Sequence, residues 1–240
     1  MSNILGLIPA RGGSKGIPRK NIAQLAGRPL LAYTCEAGLG SKLITRVVLS
    51  TDDAEIAKVG RDCGVEAPFL RPGELAGDAT SSLAVAQHAV RWLTEHEGWT
   101  ADVLMLLQPT SPLRQARHVD EALERMAQAG ADTVVSVVEV PHAFSPYGVM
   151  RLQDGGLENF WQEPLPFDSF RRQNLPIFYA RNGPAVLATQ VRVLMEQQSF
   201  YGKKIAPYIM TEEESVDIDT LFDLRLAEWL IGQRMGANFT

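Results

Sequence analysis

Residues 7–21 read LIPARGGSKGIPRKN. Apolar residues run as a strand through residues 4–8. The chain then leaves that strand through three glycines, two prolines and four cationic side chains between Pro9 and Asn21. A glycine-rich basic turn after a first strand is built to hold an anion. Gly12, Gly13 and Gly16 let backbone N–H groups approach without a Cβ in the way, and Arg11, Lys15, Arg19 and Lys20 add charge-assisted donors. The stretch fits neither common phosphate signature. Gly16 is followed by Ile17-Pro18, and Gly12 and Gly13 are adjacent.

Outward from this turn, short apolar runs alternate with helical spacing. Residues 4–8, 46–50, 65–70, 102–107 and 133–138 read as strands. Pro29 suits the first helical position before Leu30–Leu39. Thr51 or Asp52 is placed to cap the helix after the second strand, and Ser81 or Ser82 the helix carrying Ala86, Ala89, Val90 and Leu93. Residues 102–107, DVLMLL, have the continuous apolar character of a strand buried on both faces. This alternation predicts an α/β domain, a mostly parallel sheet covered by helices on both sides, with its ligand at the carboxyl ends of the strands. The rhythm breaks over 141–181, which carries five prolines, several aromatics and a hairpin turning at Asp154-Gly155-Gly156. We read 1–240 as one domain with 141–181 inserted. The pattern resumes at residues 185–188 and 205–210 and ends in a helix with Phe222, Leu226 and Trp229 on one stripe.

Composition bounds the function. The chain has 240 residues, 45% hydrophobic and 21% charged, enough for one large soluble domain. No apolar run is long enough to span a membrane, and the first residues lack a secretory signal pattern. Cys35 and Cys63 match no metal or redox spacing and point to a reducing cytoplasm. The four histidines are scattered. A net charge of −5 argues against a general nucleic-acid binder, so any anion site is a local concentration of positive charge.

Further stretches join the opening turn. "VVLSTDD", "LRPGELAGDATSS", "LLQPTSPLR", "RRQNLP…RNG" and "SVDIDT" follow in order, after "IPARGGSKGIPRKN" and "LAGRPLLAYT". In this series the chain resembles the acylneuraminate cytidylyltransferases, the CMP-sialic acid synthetase family. The resemblance implies a Rossmann-like, three-layer nucleotidyltransferase fold of the glycosyltransferase-A type, a magnesium ion (Mg2+) and a homodimer formed through the excursion. It also implies transfer of CMP from CTP to the anomeric hydroxyl of a nonulosonic acid, with release of pyrophosphate. Alternatives are a CMP-sugar synthetase for another acidic sugar such as KDO, and a non-catalytic nucleotide-sensing module on the same fold.

The residue types suit such chemistry. Attack of an alcohol on the α-phosphorus needs positioning and neutralisation of charge. The resemblance puts Arg11 and Lys20 on the triphosphate and Asn21 on the nucleotide. The nucleotide set is then Arg11, Gly12, Gly13, Ser14, Lys15, Asn21, Arg71, Thr80 and Ser82. Arg71 can donate to cytosine O2 or N3, while Ser82 or a carbonyl near Thr80 can accept from the N4 amino group. Asp217 and Asp219, two apart, share a face if the chain there is extended, and two hard oxygen ligands can hold magnesium. A second reading makes Asp219 the cap of the last helix. The catalytic set is Arg11, Lys20 and Asp217, with the general base open between the two aspartates. The resemblance adds Gln108, Arg172, Asn182, Phe200 and Tyr201 on the sugar side. Two departures touch the sugar pocket. Residues 184–187 read PAVL where many relatives have A-I-Y, and residues 145–148 read SPYG where a lysine is common. The sugar is left open among N-acetylneuraminic, legionaminic, pseudaminic and deaminated acids.

Overall fold

The computed structural model describes residues 2–14, 16–77, 79–162 and 176–236. In chain order these form β1 (Ile4–Pro9), β2 (Gln24–Leu25), β3 (Arg28–Pro29), α1 (Leu30–Leu39), β4 (Arg46–Ser50), α2 (Ala54–Asp62) and α3 (Ser82–Glu97). Next come β5 (Val103–Leu106), α4 (Ala116–Ala129), β6 (Thr133–Glu139), β7 (Met150–Gln153), β8 (Gly156–Asn159) and β9 (Tyr179–Arg181). The last are β10 (Leu187–Gln190), α5 (Val191–Glu196), β11 (Ile205–Ile209) and α6 (Leu221–Gly236).

The main sheet has the order β11-β6-β10-β5-β1-β4, with β9 also on β6. β1 pairs in parallel with β4 and β5, and β11 with β6, while β10 runs antiparallel between β5 and β6. The sheet is therefore mostly parallel. The strands bury both faces by simple alternation. Leu5, Leu7, Leu104 and Leu106 pack with Ala86, Val90, Leu93 and Leu194 from α3 and α5. Ile8, Met105 and Leu107 pack on the other side with Leu31, Ile56, Val119 and Met126 from α1, α2 and α4. Each such leucine or isoleucine contributes about 1.5–3 kcal/mol by leaving water.

Several expectations are refined. Residues 65–70 make only isolated bridges, Val48 with Glu66 and Thr51 with Leu70. Pro68 in their middle has no N–H for a ladder. The cap of α2 is Asp53, not Thr51 or Asp52; its carboxylate accepts from the N–H groups of Glu55 and Ile56. Ser81 caps α3, accepting from Ala84 N at 3.2 Å, and Ser82 is the first helical residue. Pro29 precedes α1 rather than opening it. The late strand begins at Leu187. On α6 Phe222 and Trp229 of the expected stripe face outward, 73% and 60% exposed, while Leu226 is partly buried and packs with the buried Ala227, Leu230 and Ile231. That helix packs by its opposite face on Ile17, Leu25 and Leu30. The hairpin β7–β8 forms as expected, with Asp154 and Gly155 at φ 50° and 82°.

Candidate active site

Loops leaving the carboxyl ends of β1 and β5 meet the segment before α6. The extended break between β9 and β10 lies beside them. With residues 71–77 and 80–85 they enclose a cleft of about 480 Å³. Arg11, Ser14, Lys20, Asn21, Arg71, Thr80, Ser82, Gln108, Asp217 and Asp219 all line it. Residues spread over most of the chain are thus brought together. Gly12 and Gly13 lie in the same loop. Asn182, Phe200 and Tyr201 are not on the cleft wall. Asn182 is buried, its Oδ1 accepting from Ser136 Oγ at 2.6 Å. Phe200 packs on the α3–α5 side of the sheet, and Tyr201 lies under the Arg181 guanidinium. Lys15 and Arg172 lie outside the described residues.

The basic loop is held at both ends. Asn21 Nδ2 donates to Arg11 O at 2.9 Å. Arg19 takes a left-handed conformation, φ 50° and ψ 37°, beside Asp53 and Glu55 at 3.1 and 2.9 Å. Lys20 Nζ donates to Ile218 O at 2.6 Å and lies 3.2 Å from Asp219 Oδ1. Gly16 makes this approach possible: a Cβ there would come within 2.5 Å of the Asp219 carbonyl oxygen.

Arg71 is only 6% exposed. Its Nη1 reaches Leu75 O at 3.4 Å, while Nε and Nη2 have no hydrogen-bond partner among the described residues. Burial pulls its pKa below the ordinary value, against the opposing charge of Asp52. Gln108 Nε2 donates to Gly183 O at 3.1 Å. Gly183 sits at φ 101°, and a Cβ there would come 2.9 Å from the Asp217 carboxylate. Only glycine fits both the backbone and the space.

Burial raises the Asp217 pKa, and Asp219 adds to the rise; Thr110 and Lys20 oppose it. Thr110 Oγ1 and Asp217 Oδ1 are both buried without a hydrogen-bond partner among the described residues. The side chain of Asp219 does not cap α6. Thr220 and Asp223 do so reciprocally: Asp223 N donates to Thr220 Oγ1 at 3.3 Å, and Asp223 Oδ2 accepts from Thr220 N at 2.7 Å. The Asp219 carboxylate is left for Lys20 and for the cleft. No group of three or more His, Cys, Asp or Glu residues able to hold a metal occurs among the described residues.

Sequence reasoning missed two supports. Asp52 Oδ1 accepts from Gly12 N at 3.0 Å. Arg114, 2% exposed, donates to Gln108 O, Ala185 O and Thr34 Oγ1 at 3.1, 2.7 and 2.6 Å. It staples the end of β5 to the break before β10. Burial pushes its pKa down to about 9, with Cys35 and Asp217 opposing the fall. Its place at the end of "LLQPTSPLR" was the available signal.

Residues 5–235 match the family model described as cytidylyltransferase. The N-acylneuraminate cytidylyltransferase of Escherichia coli O18:K1:H7 is 34% identical over 94% of this chain, which spans 51% of that protein. The chain is thus about half the length of that relative. The CMP-N,N'-diacetyllegionaminic acid synthase of Legionella pneumophila is 35% identical, covering 95% of this chain and 96% of its own. A solved structure of CMP:2-keto-3-deoxy-manno-octonic acid synthetase complexed with CTP shares the fold. Its TM-score is 0.69 at 19% identity, covering 97% of this chain and 100% of the other. Family model and relatives agree: the chain belongs to the family of acylneuraminate-type cytidylyltransferases.

Proposed function

We propose that the chain transfers CMP from CTP to the anomeric hydroxyl of a nonulosonic acid and releases pyrophosphate. The observation that carries this reading is Arg71, a buried guanidinium whose Nε and Nη2 make no hydrogen bond among the described residues, on a cleft that also holds the basic loop. An orphaned buried donor costs about 1–3 kcal/mol, so the site favours an acceptor that arrives with a ligand. Cytosine O2 and N3 are such acceptors. Ser82, or a carbonyl near Thr80, accepts from the N4 amino group.

In the transfer, the sugar oxygen forms a bond to the α-phosphorus as the bond to the β-phosphate oxygen breaks. The hydroxyl proton leaves to water or to the Asp217–Asp219 pair. Arg11 and Lys20 donate to phosphate oxygens and to the leaving pyrophosphate. Gln108 sits where the sugar enters. Asp217 and Asp219 are the proposed magnesium ligands. The partnerless Asp217 Oδ1 and the hard oxygen set suit that ion, with phosphate and water oxygens completing its shell. When bound, magnesium supplies charge neutralisation on the triphosphate. A nucleotide sensor would not need the Asp217 carboxylate held with a buried Oδ1 that makes no hydrogen bond among the described residues.

The same reading includes a cytoplasmic homodimer. Exposed Phe144, Leu152, Leu157, Phe160, Ile177 and Tyr179 on the excursion support the pairing.

The test is pyrophosphate release from CTP, magnesium and a panel of sugar acids: N-acetylneuraminic, legionaminic, pseudaminic, deaminated nonulosonic and KDO. Release with CTP and a nine-carbon acid is expected, with weaker turnover of UTP. Equal rates with ATP, GTP and CTP, or release with KDO alone, would overturn the reading.

A further inference from the structure

Residues Thr51, Asp52 and Asp53 leave β4 beside the cleft without lining it, and Thr51 and Asp52 touch two of its supports, Arg71 and the loop at Gly12. Thr51 O accepts from Arg71 N at 2.7 Å. Asp52 Oδ1 accepts from Gly12 N at 3.0 Å, and the same oxygen lies 3.6 Å from Arg71 Nη2. Asp53 serves elsewhere, capping α2 and pairing with Arg19.

We propose that Asp52 is a positioning residue that couples recognition of the base to the geometry of the phosphate loop. This rests on the reading of the cleft as a CTP site. One carboxylate oxygen faces both Gly12 in the loop and the guanidinium offered to cytosine. Arg71 meets no other carboxylate within salt-bridge distance among the described residues, and Arg11 opposes its charge. Asp52 therefore fixes where the buried cation stands. Any displacement of Arg71 by a base is felt at the Gly12 amide through a single atom. A nucleotide that engages Arg71 poorly leaves the loop poorly set for its triphosphate, so base selection enters the rate as well as the affinity.

The two contacts separate by substitution. Asp52→Asn keeps an oxygen for the Gly12 N–H and removes the charge facing Arg71. Asp52→Ala removes both. The ratio of kcat/KM for CTP over UTP is measured with each variant, alongside calorimetric binding of inorganic pyrophosphate, which reports the loop without a base. For Asp52→Asn the ratio falls about tenfold, because a neutral amide no longer compensates the buried guanidinium, while pyrophosphate affinity stays within about twofold. For Asp52→Ala the ratio falls equally and pyrophosphate binding also weakens about tenfold. Asp53→Asn, whose amide caps a helix about as well, leaves the ratio unchanged. A wild-type CTP/UTP ratio in Asp52→Asn, with the wild-type protein active, overturns the coupling alone, even if Asp52→Ala does not fold. Absence of CTP-dependent turnover by the wild-type protein overturns the functional reading and the coupling with it.

Discussion

Lys20 Nζ donates to the carbonyl oxygen of Ile218 at 2.6 Å, joining residues 198 positions apart. Ile218 itself is fully buried among Ile17, Leu25 and Leu230. The ammonium is thus anchored to the core and, at 3.2 Å, to Asp219 Oδ1. The basic loop and the acidic segment before α6 form one unit, closed further by the contact of Gly16 with the Asp219 backbone.

Removing the ammonium should therefore strike the chemistry. Lys20→Ala is expected to lower kcat by roughly 10²-fold or more, the scale for one transition-state donor. Lys20→Arg should not restore it, because a planar fork cannot take the place of a compact ammonium against Ile218 O. Steady-state kinetics with saturating CTP check this; near-normal kcat in Lys20→Ala would remove the loop from the reaction.

Asp217 should trade stability for function. Burial raises its pKa above the ordinary 3.8, so the folded protein holds the proton more tightly than the unfolded chain. Stability then falls as pH rises from that ordinary value through the raised one, and the cost is complete above it. Asp217→Asn removes the cost. Its melting temperature at pH 7, without nucleotide or magnesium, should equal or exceed the wild type, with the difference vanishing below about pH 3 where both states are protonated. Activity should be lost. A melting temperature well below wild type at pH 7 would show that the carboxylate is held by contacts that stabilise it.

The strands at the centre of the sheet were legible because both faces are covered. Leu104 and Leu106 enter one cluster, Met105 and Leu107 the other, and the run reads as continuous. Residues 65–70 have similar composition, yet Pro68 prevents a ladder. The stripe on α6 was legible as a stripe, but its direction was set by Ala227, Leu230 and Ile231 docking on the loop that follows β1. In the cleft, the glycines and cations were legible in the sequence as a basic loop, and the structure places that loop on the cleft wall. For Arg114 the motif marked the position but not the work, and for Asp52 nothing did, since their hydrogen-bond partners include backbone groups of Gly12, Gln108 and Ala185, up to 71 positions away. A buried arginine bonded to carbonyls resembles, in sequence, any surface arginine.

The excursion should pair two copies of the chain. The β7–β8 hairpin is exposed along its whole length, and Leu152 and Leu157 stand opposite one another on it. Tyr147 packs between Trp161 and Phe178, so the base of the excursion is ordered while the hairpin's apolar residues lack cover among the described residues. Phe167 and Phe170 of the excursion lie outside the described residues. Light scattering at micromolar concentration should give a dimer, and Leu152→Asp with Leu157→Asp should shift it toward monomer. A wild-type monomer would refute the pairing.

Asp219 and Asp223 separate metal binding from helix capping. Asp223 Oδ2 accepts from Thr220 N, Thr220 Oγ1 and Asp219 N, at 2.7, 2.8 and 3.1 Å. Burial opposes its ionised form, but the Thr220 hydroxyl and these backbone donors together hold its pKa below the ordinary value. Asp223→Ala should therefore lower stability by about 1 kcal/mol, the usual value of a cap. By linkage that loss should shrink in acid, as the depressed carboxylate of the wild type takes up its proton. Asp219 spends nothing on the helix; its carboxylate faces Lys20 and the cleft. Asp219→Asn should leave the melting temperature unchanged, cut activity severely and raise the magnesium concentration needed for half-maximal rate, because a neutral amide is a poorer ligand for a hard cation. A magnesium titration of initial rates, run beside thermal unfolding of both variants, reads the two roles independently. Full activity of Asp219→Asn at limiting magnesium would take this carboxylate out of the metal site and leave Asp217 to hold the ion with phosphate and water oxygens.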